Sequence, residues 1–80
     1  MNEVSSLRFA LVVMSSRVGE KDWNLLRHIK WMRRAAEQGA HVVAFPECSL
    51  TGYGGMAETA IAVDDEAISQ IIRLAGDLGL

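Results

Sequence analysis

Glu47 stands directly behind Phe45-Pro46 and directly before Cys48, the one cysteine of the chain. A carboxylate set just after a rigid proline at the end of an apolar run holds a fixed position, which is what a general base requires. The plainer alternative is a solvated loop glutamate, the ordinary state of that side chain. Cys48 raises a second possibility, a nucleophilic thiol beside a base. Neighbouring side chains in an extended segment point to opposite sides, however, so Cys48 is expected to be a small packed thiol. His28 and His41 form no metal-ligand spacing with each other or with Cys48, and both are expected to be structural. Lys30 is expected on a solvent-facing helix surface.

The elements around these residues form a simple order. Phe9-Ala10-Leu11-Val12-Val13-Met14 is short, apolar and rich in β-branched residues, and predicts a strand buried on both faces. Residues 15–21 are polar, contain Gly19 and predict a loop. A helix is predicted from about Trp23 to Gln38, with Asp22 as its N-cap. Its apolar stripe is Leu25, Ile29, Met32 and Ala36, with Leu26 and Ala35 at the edges and Arg27, Lys30, Arg34 and Glu37 opposite. Trp23 and Trp31 fall toward the less apolar side. Gly39 stands where a helix leaves through a left-handed turn.

Val42-Val43-Ala44-Phe45 predicts a second buried strand, ended by Pro46, which has no N–H for the ladder. Residues 47–55 predict a loop, marked by Gly52, Gly54 and Gly55. Residues 56–63 are ambiguous. Asp64 or Asp65 caps a second helix with Ile68, Ile71, Ile72 and Ala75 as its stripe and Gly79 at its end. Strand, helix, strand, helix predicts an α/β fold in which the two strands lie parallel. A third strand is expected next, and the chain looks cut short before it.

Bulk properties narrow the function. At 80 residues the chain holds one domain at most, and half of it is apolar, which is a globular composition. Ten acidic against eight basic residues give a net charge of −2, with no basic excess to favour nucleic acid. A single cysteine allows no internal disulfide and favours a reducing compartment. The longest apolar run, residues 9–14, is far short of the roughly 20 residues of a membrane span. The start has neither the basic stretch nor the long apolar region of a signal peptide. A soluble, cytoplasmic protein is expected.

Phe45-Pro46-Glu47-Cys48-Ser49-Leu50-Thr51-Gly52-Tyr53 closely resembles the F-P-E-x-x-L-T-G-Y signature of the nitrilase superfamily of carbon–nitrogen hydrolases. Gly19-Glu20-Lys21-Asp22-Trp23-Asn24-Leu25 resembles that family's glycine, acidic residue and asparagine at the start of its first helix. Ala35-Ala36-Glu37-Gln38-Gly39-Ala40 resembles the helix end. Met14 and His41 depart from the family's frequent glutamine and acidic residue. The resemblance implies the start of a four-layer α-β-β-α sandwich, with residues 1–80 as a partial, N-terminal carbon–nitrogen hydrolase domain.

The resemblance also implies a mechanism built on a glutamate, a lysine and a cysteine. The glutamate takes the thiol proton, the thiolate attacks a nitrile or amide carbon, and the lysine stabilises the tetrahedral intermediate. Only the glutamate falls within this sequence, at Glu47. The family's lysine and cysteine lie downstream of residue 80, so neither Lys21, Lys30 nor Cys48 takes those roles. Tyr53 closes the signature and is expected to pack near the site. The resemblance implies no organic cofactor and no metal, a small amide, nitrile or carbamoyl substrate, and homo-oligomers of the complete domain. Two alternatives stand beside it: a truncated, non-catalytic α/β chain, and a small phosphate-binding module. The second would want a glycine-rich turn after the first strand, where residues 15–19 hold only Gly19.

Overall fold

The computed structural model describes residues 6–52, 60–61 and 65–80. Tyr53, Gly54, Gly55, Asp64 and most of the ambiguous stretch 56–63 lie outside the described residues. The order is β1 (Phe9–Leu11), α1 (Lys21–Glu37), β2 (Val42–Ala44) and α2 (Glu66–Leu78). The two strands pair in parallel, with Phe9 opposite Val42, Ala10 opposite Val43 and Leu11 opposite Ala44. The α/β expectation holds, and both strands are shorter than their apolar runs. One further bond, Val12 N–H to the Ala44 carbonyl at 2.9 Å, carries the pairing past β1.

Helix α1 starts at Lys21, two residues before the predicted position. Asp22 therefore lies inside the first turn and is not the N-cap. There it still suits the positive end of the helix dipole. The C-terminus follows the expected pattern. Gly39 takes φ +80°, and Ala40 N–H reaches back to the Ala35 carbonyl at 3.0 Å, closing a left-handed exit.

The buried stripe of α1 differs from the predicted one. Asn24, Leu25, His28, Met32 and Ala35 are buried, while Leu26 is 66% exposed and Ile29 and Ala36 are only half-buried. The buried face is turned toward Asn24 and His28 because both polar side chains find all their partners inside, as shown below. Lys30, Arg34 and Glu37 are exposed as expected, whereas Arg27 is half-buried. Trp23 is half-buried, with the Arg17 guanidinium 4.0 Å and the Arg27 guanidinium 5.5 Å from its ring centre. Trp31 is also half-buried, beside the Lys30 ammonium at 5.4 Å.

Helix α2 packs along α1 and is capped by Asp65, whose carboxylate accepts the Ala67 N–H at 2.8 Å. The same carboxylate accepts the Lys21 ammonium at 3.0 Å and so ties the start of α2 to the start of α1. The Ala67 N–H and then Lys21 hold the Asp65 carboxyl below its ordinary range. Ala67 is buried, and Ile71, Leu74 and Leu78 follow on its face. Ile72, predicted for the stripe, is 67% exposed because it lies about 140° around the helix from Ala67. Gly79 ends the helix at φ +73°.

Burial of both strand faces is not what the structure shows. Phe9, Leu11 and Val13 are 59%, 77% and 92% exposed, and Val42, opposite Phe9, is 37% exposed. These side chains alternate onto one face of the pair. Ala10, Val12 and Val43, on the other face, are half-buried. A bare apolar sheet face favours association. The isolated 80-residue chain is therefore expected to self-associate in a concentration-dependent way, with Leu11→Lys weakening the association. Sedimentation velocity over a concentration series checks this, and a clean monomer throughout contradicts it.

Candidate active site

Two loops follow the strands at their carboxyl ends, residues 12–20 after β1 and residues 45–52 after β2. Their backbones are bonded together: Gly19 N–H donates to the Thr51 carbonyl at 2.9 Å, and the Ser16 hydroxyl donates to the Ser49 carbonyl. Gly52 takes φ +87°, and a Cβ there would stand 2.5 Å from Val18 Cα and 2.7 Å from Val18 N. Only glycine permits so close an approach of the two backbones.

Asn24 joins both loops to α1. Its side-chain oxygen accepts Arg17 N–H at 2.8 Å, and its amide nitrogen donates to the carbonyls of Arg17 and Leu50, each at 2.8 Å. The residue is fully buried. A buried amide is stable there because donors and acceptor are all satisfied.

His28, one turn along, works in the same way. Its Nδ1 lies 2.7 Å from the Asn24 carbonyl, an acceptor only, so Nδ1 carries the hydrogen and donates. Its Nε2 lies 2.7 Å from the Ser49 hydroxyl and accepts from it. Its ring also tilts against Phe45, with centroids 4.3 Å apart. Burial lowers the His28 pKa, and the hydrogen bond to the Asn24 carbonyl offsets part of that. The neutral imidazole is thus the favoured form. The structural role expected of His28 is what it has, and its contacts run to the Glu47 loop. His41 lies at the other end of β2, where its Nδ1 accepts Arg8 N–H at 3.0 Å.

Glu47 sits on a tight turn over residues 47–51, closed by Ser49 N–H to the Pro46 carbonyl and Gly52 N–H to the Cys48 carbonyl. Its side chain is exposed. A cleft of about 270 Å³ lies here, lined by Met14, Ser16, Val18, Pro46, Glu47, Cys48 and Ser49. Cys48 corrects an expectation. The segment is not extended: Cys48 takes the left-handed φ of +57°, and it lines the same cleft as Glu47 rather than pointing away from it. The residue is half-buried and is a free cysteine. Lys21 is engaged with Asp65, and Lys30 is exposed on α1. Tyr53 lies outside the described residues.

Sequence reasoning missed Ser49 as the partner of His28 and gave Asn24 no explicit task. The signal for Asn24 was present, since an asparagine at the start of the first helix is part of the family pattern. Ser49 occupies a variable position of the signature and gave none.

A helix-flanked parallel strand pair, with a carboxylate on the turn behind its second strand, defines an α/β chain, the fold class in which ligands commonly gather at the strand ends. The family model for carbon–nitrogen hydrolases matches residues 8–80, and the chain belongs to that family, the nitrilase superfamily. No curated protein and no solved structure matches it.

Proposed function

We propose that this chain carries the general-base segment of a hydrolase that cleaves non-peptide carbon–nitrogen bonds in amides, nitriles or carbamoyl compounds. Glu47 is the base. The observation that supports this most is the exposed Glu47 carboxylate lining a cleft at the carboxyl ends of the parallel strands, on a turn held by its neighbours. Glu47 takes the proton of a family cysteine thiol. The thiolate adds to the substrate carbon while a family lysine stabilises the charge that develops. From an amide or carbamoyl compound the amine or ammonia leaves with a proton returned from Glu47, giving a thioester or thiocarbamate; a nitrile first gives a thioimidate, which takes up one water before ammonia leaves and the thioester forms. Glu47 then activates water, which hydrolyses the thioester and restores the thiol. Side chains and water suffice for this chemistry.

The same reading gives the complete catalytic domain a four-layer α-β-β-α sandwich, with residues 1–80 as its first part. It also gives that domain a homo-oligomeric state and a cytoplasmic location. Among the described residues, no helix is long and apolar enough to cross a membrane. The family's lysine and cysteine positions fall beyond these 80 residues, so Glu47 here lacks both family partners, and Cys48 beside it occupies a variable position of the signature. The isolated chain is expected to release no ammonia above background from a panel of small amides and nitriles. Release by the chain, lost in Glu47→Gln, would show that the three-residue division of labour is wrong.

A further inference from the structure

We propose that His28 and Ser49 are positioning residues for Glu47: one imidazole holds the turn on both sides of the carboxylate, by its ring at Phe45 and by its Nε2 at Ser49. The proposal rests on the reading of Glu47 as the base.

Among the described residues, no hydrogen bond or ion pair holds the Glu47 side chain itself. Among those residues, the backbone is what sets where its side chain begins and which way it leaves the turn. That backbone is short: only Pro46, Glu47 and Cys48 lie between the two points His28 touches. Proline restricts one of the three, and Cys48 holds a left-handed conformation that a non-glycine residue adopts only when its surroundings impose it. The Ser49 hydroxyl, given to Nε2, and the Ser49 carbonyl, taken by Ser16, fix the far side of the turn.

The imidazole is itself held. Nδ1–H donates to the Asn24 carbonyl one turn earlier in α1, which selects the tautomer whose Nε2 is free to accept. The chain of contacts runs from Asn24 through His28 to Ser49, and it starts from a rigid helix rather than a loop. A base must be within hydrogen-bond reach of the proton it takes, so a displacement of an ångström matters to turnover more than to substrate affinity.

The test uses the catalytically complete enzyme with Ser49→Ala, Ser49→Thr and Glu47→Gln. In Ser49→Ala, kcat is expected to fall about ten- to a hundredfold, the range for a catalytic group displaced by about an ångström. KM should change little. Ser49→Thr keeps the hydroxyl and should restore kcat to near the wild-type value. A purely structural hydroxyl predicts otherwise: a lower melting temperature, with kcat per folded molecule unchanged. Nitrogen NMR of the imidazole gives a readout apart from activity. Wild-type His28 should be a single Nδ1–H tautomer, and an Nε2–H or averaging ring overturns the proposal even if Ser49→Ala does not fold. Wild-type turnover in Ser49→Ala beside an inactive Glu47→Gln sinks the positioning role alone. Wild-type turnover in Glu47→Gln sinks the base reading first.

Discussion

Glu47→Gln is expected to lower turnover of the catalytically complete enzyme by about 10²–10⁴-fold, the usual worth of a positioned general base. KM should move little, because the proton transfer strengthens in the transition state and not in the bound ground state. Glutamine keeps the size and the polar character of the side chain and removes only the ability to take a proton. The neighbour supplies the control. Cys48→Ser alters one atom of a half-buried side chain at the same left-handed φ, so the backbone strain is the same before and after. It should cost about 1 kcal/mol of stability and leave turnover within a few-fold. Both substitutions lie on one turn and line one cleft. A large difference between them therefore cannot come from general damage to the loop. Steady-state kinetics of the two variants decide the matter, and the reverse order of effects contradicts the assignment of Glu47.

The second large effect concerns the junction of the two loops. Gly52→Ala places a methyl group 2.5 Å from Val18 Cα and 2.7 Å from Val18 N, and both are backbone atoms that cannot swing aside. The left-handed φ of +87° adds strain of about 1–3 kcal/mol for a non-glycine residue. Relief of the overlap requires the loops to separate. The adjacent bond from Gly19 N–H to the Thr51 carbonyl then stretches, and the Asn24 contact to the Leu50 carbonyl with it. Gly79 offers a matched comparison. It has a similar φ of +73°, with nothing within 4 Å of an added Cβ. Gly79→Ala should therefore show the conformational strain alone, about 1–2 kcal/mol, and Gly52→Ala clearly more. Urea unfolding of both variants measures the difference. Equal midpoints would mean that the two loops are not packed backbone against backbone.

The order of elements was legible because apolar runs, helical spacing and glycine exits are local signals. Gly39, Asp65 and Gly79 do what their types and places predict. The strands were less legible as buried elements. Phe9, Leu11 and Val13 are apolar enough for a face covered by other chain, and an apolar pattern states what a face needs, not whether these residues cover it. The buried stripe of α1 was misplaced for another reason. Hydrophobic spacing selects Ile29 and Ala36, yet Asn24 and His28 take the inner positions because each brings its own hydrogen-bond partners. Apart from the His28–Asn24 bond within the helix, such pairing depends on residues 7 to 26 positions away and leaves no periodic trace.

The family signature singled out Glu47, and nothing in the sequence signalled the conformation of its neighbour. An L-residue with a positive φ, as at Cys48, is set by its surroundings and not by its type. That conformation lies within the turn closed by Ser49 N–H to the Pro46 carbonyl and Gly52 N–H to the Cys48 carbonyl, where Cys48 lines the cleft beside Glu47.

The most direct measurement of the central claim is the pH dependence of kcat/KM in the catalytically complete enzyme, wild type against Glu47→Gln. A base must be ionised to act, so wild-type kcat/KM should fall with unit slope on the acid side. If Glu47 is that base, the small residual activity of Glu47→Gln should lose this acid limb. An acid limb at the same pH in the variant, whatever the size of its residual rate, would assign the essential base to another group.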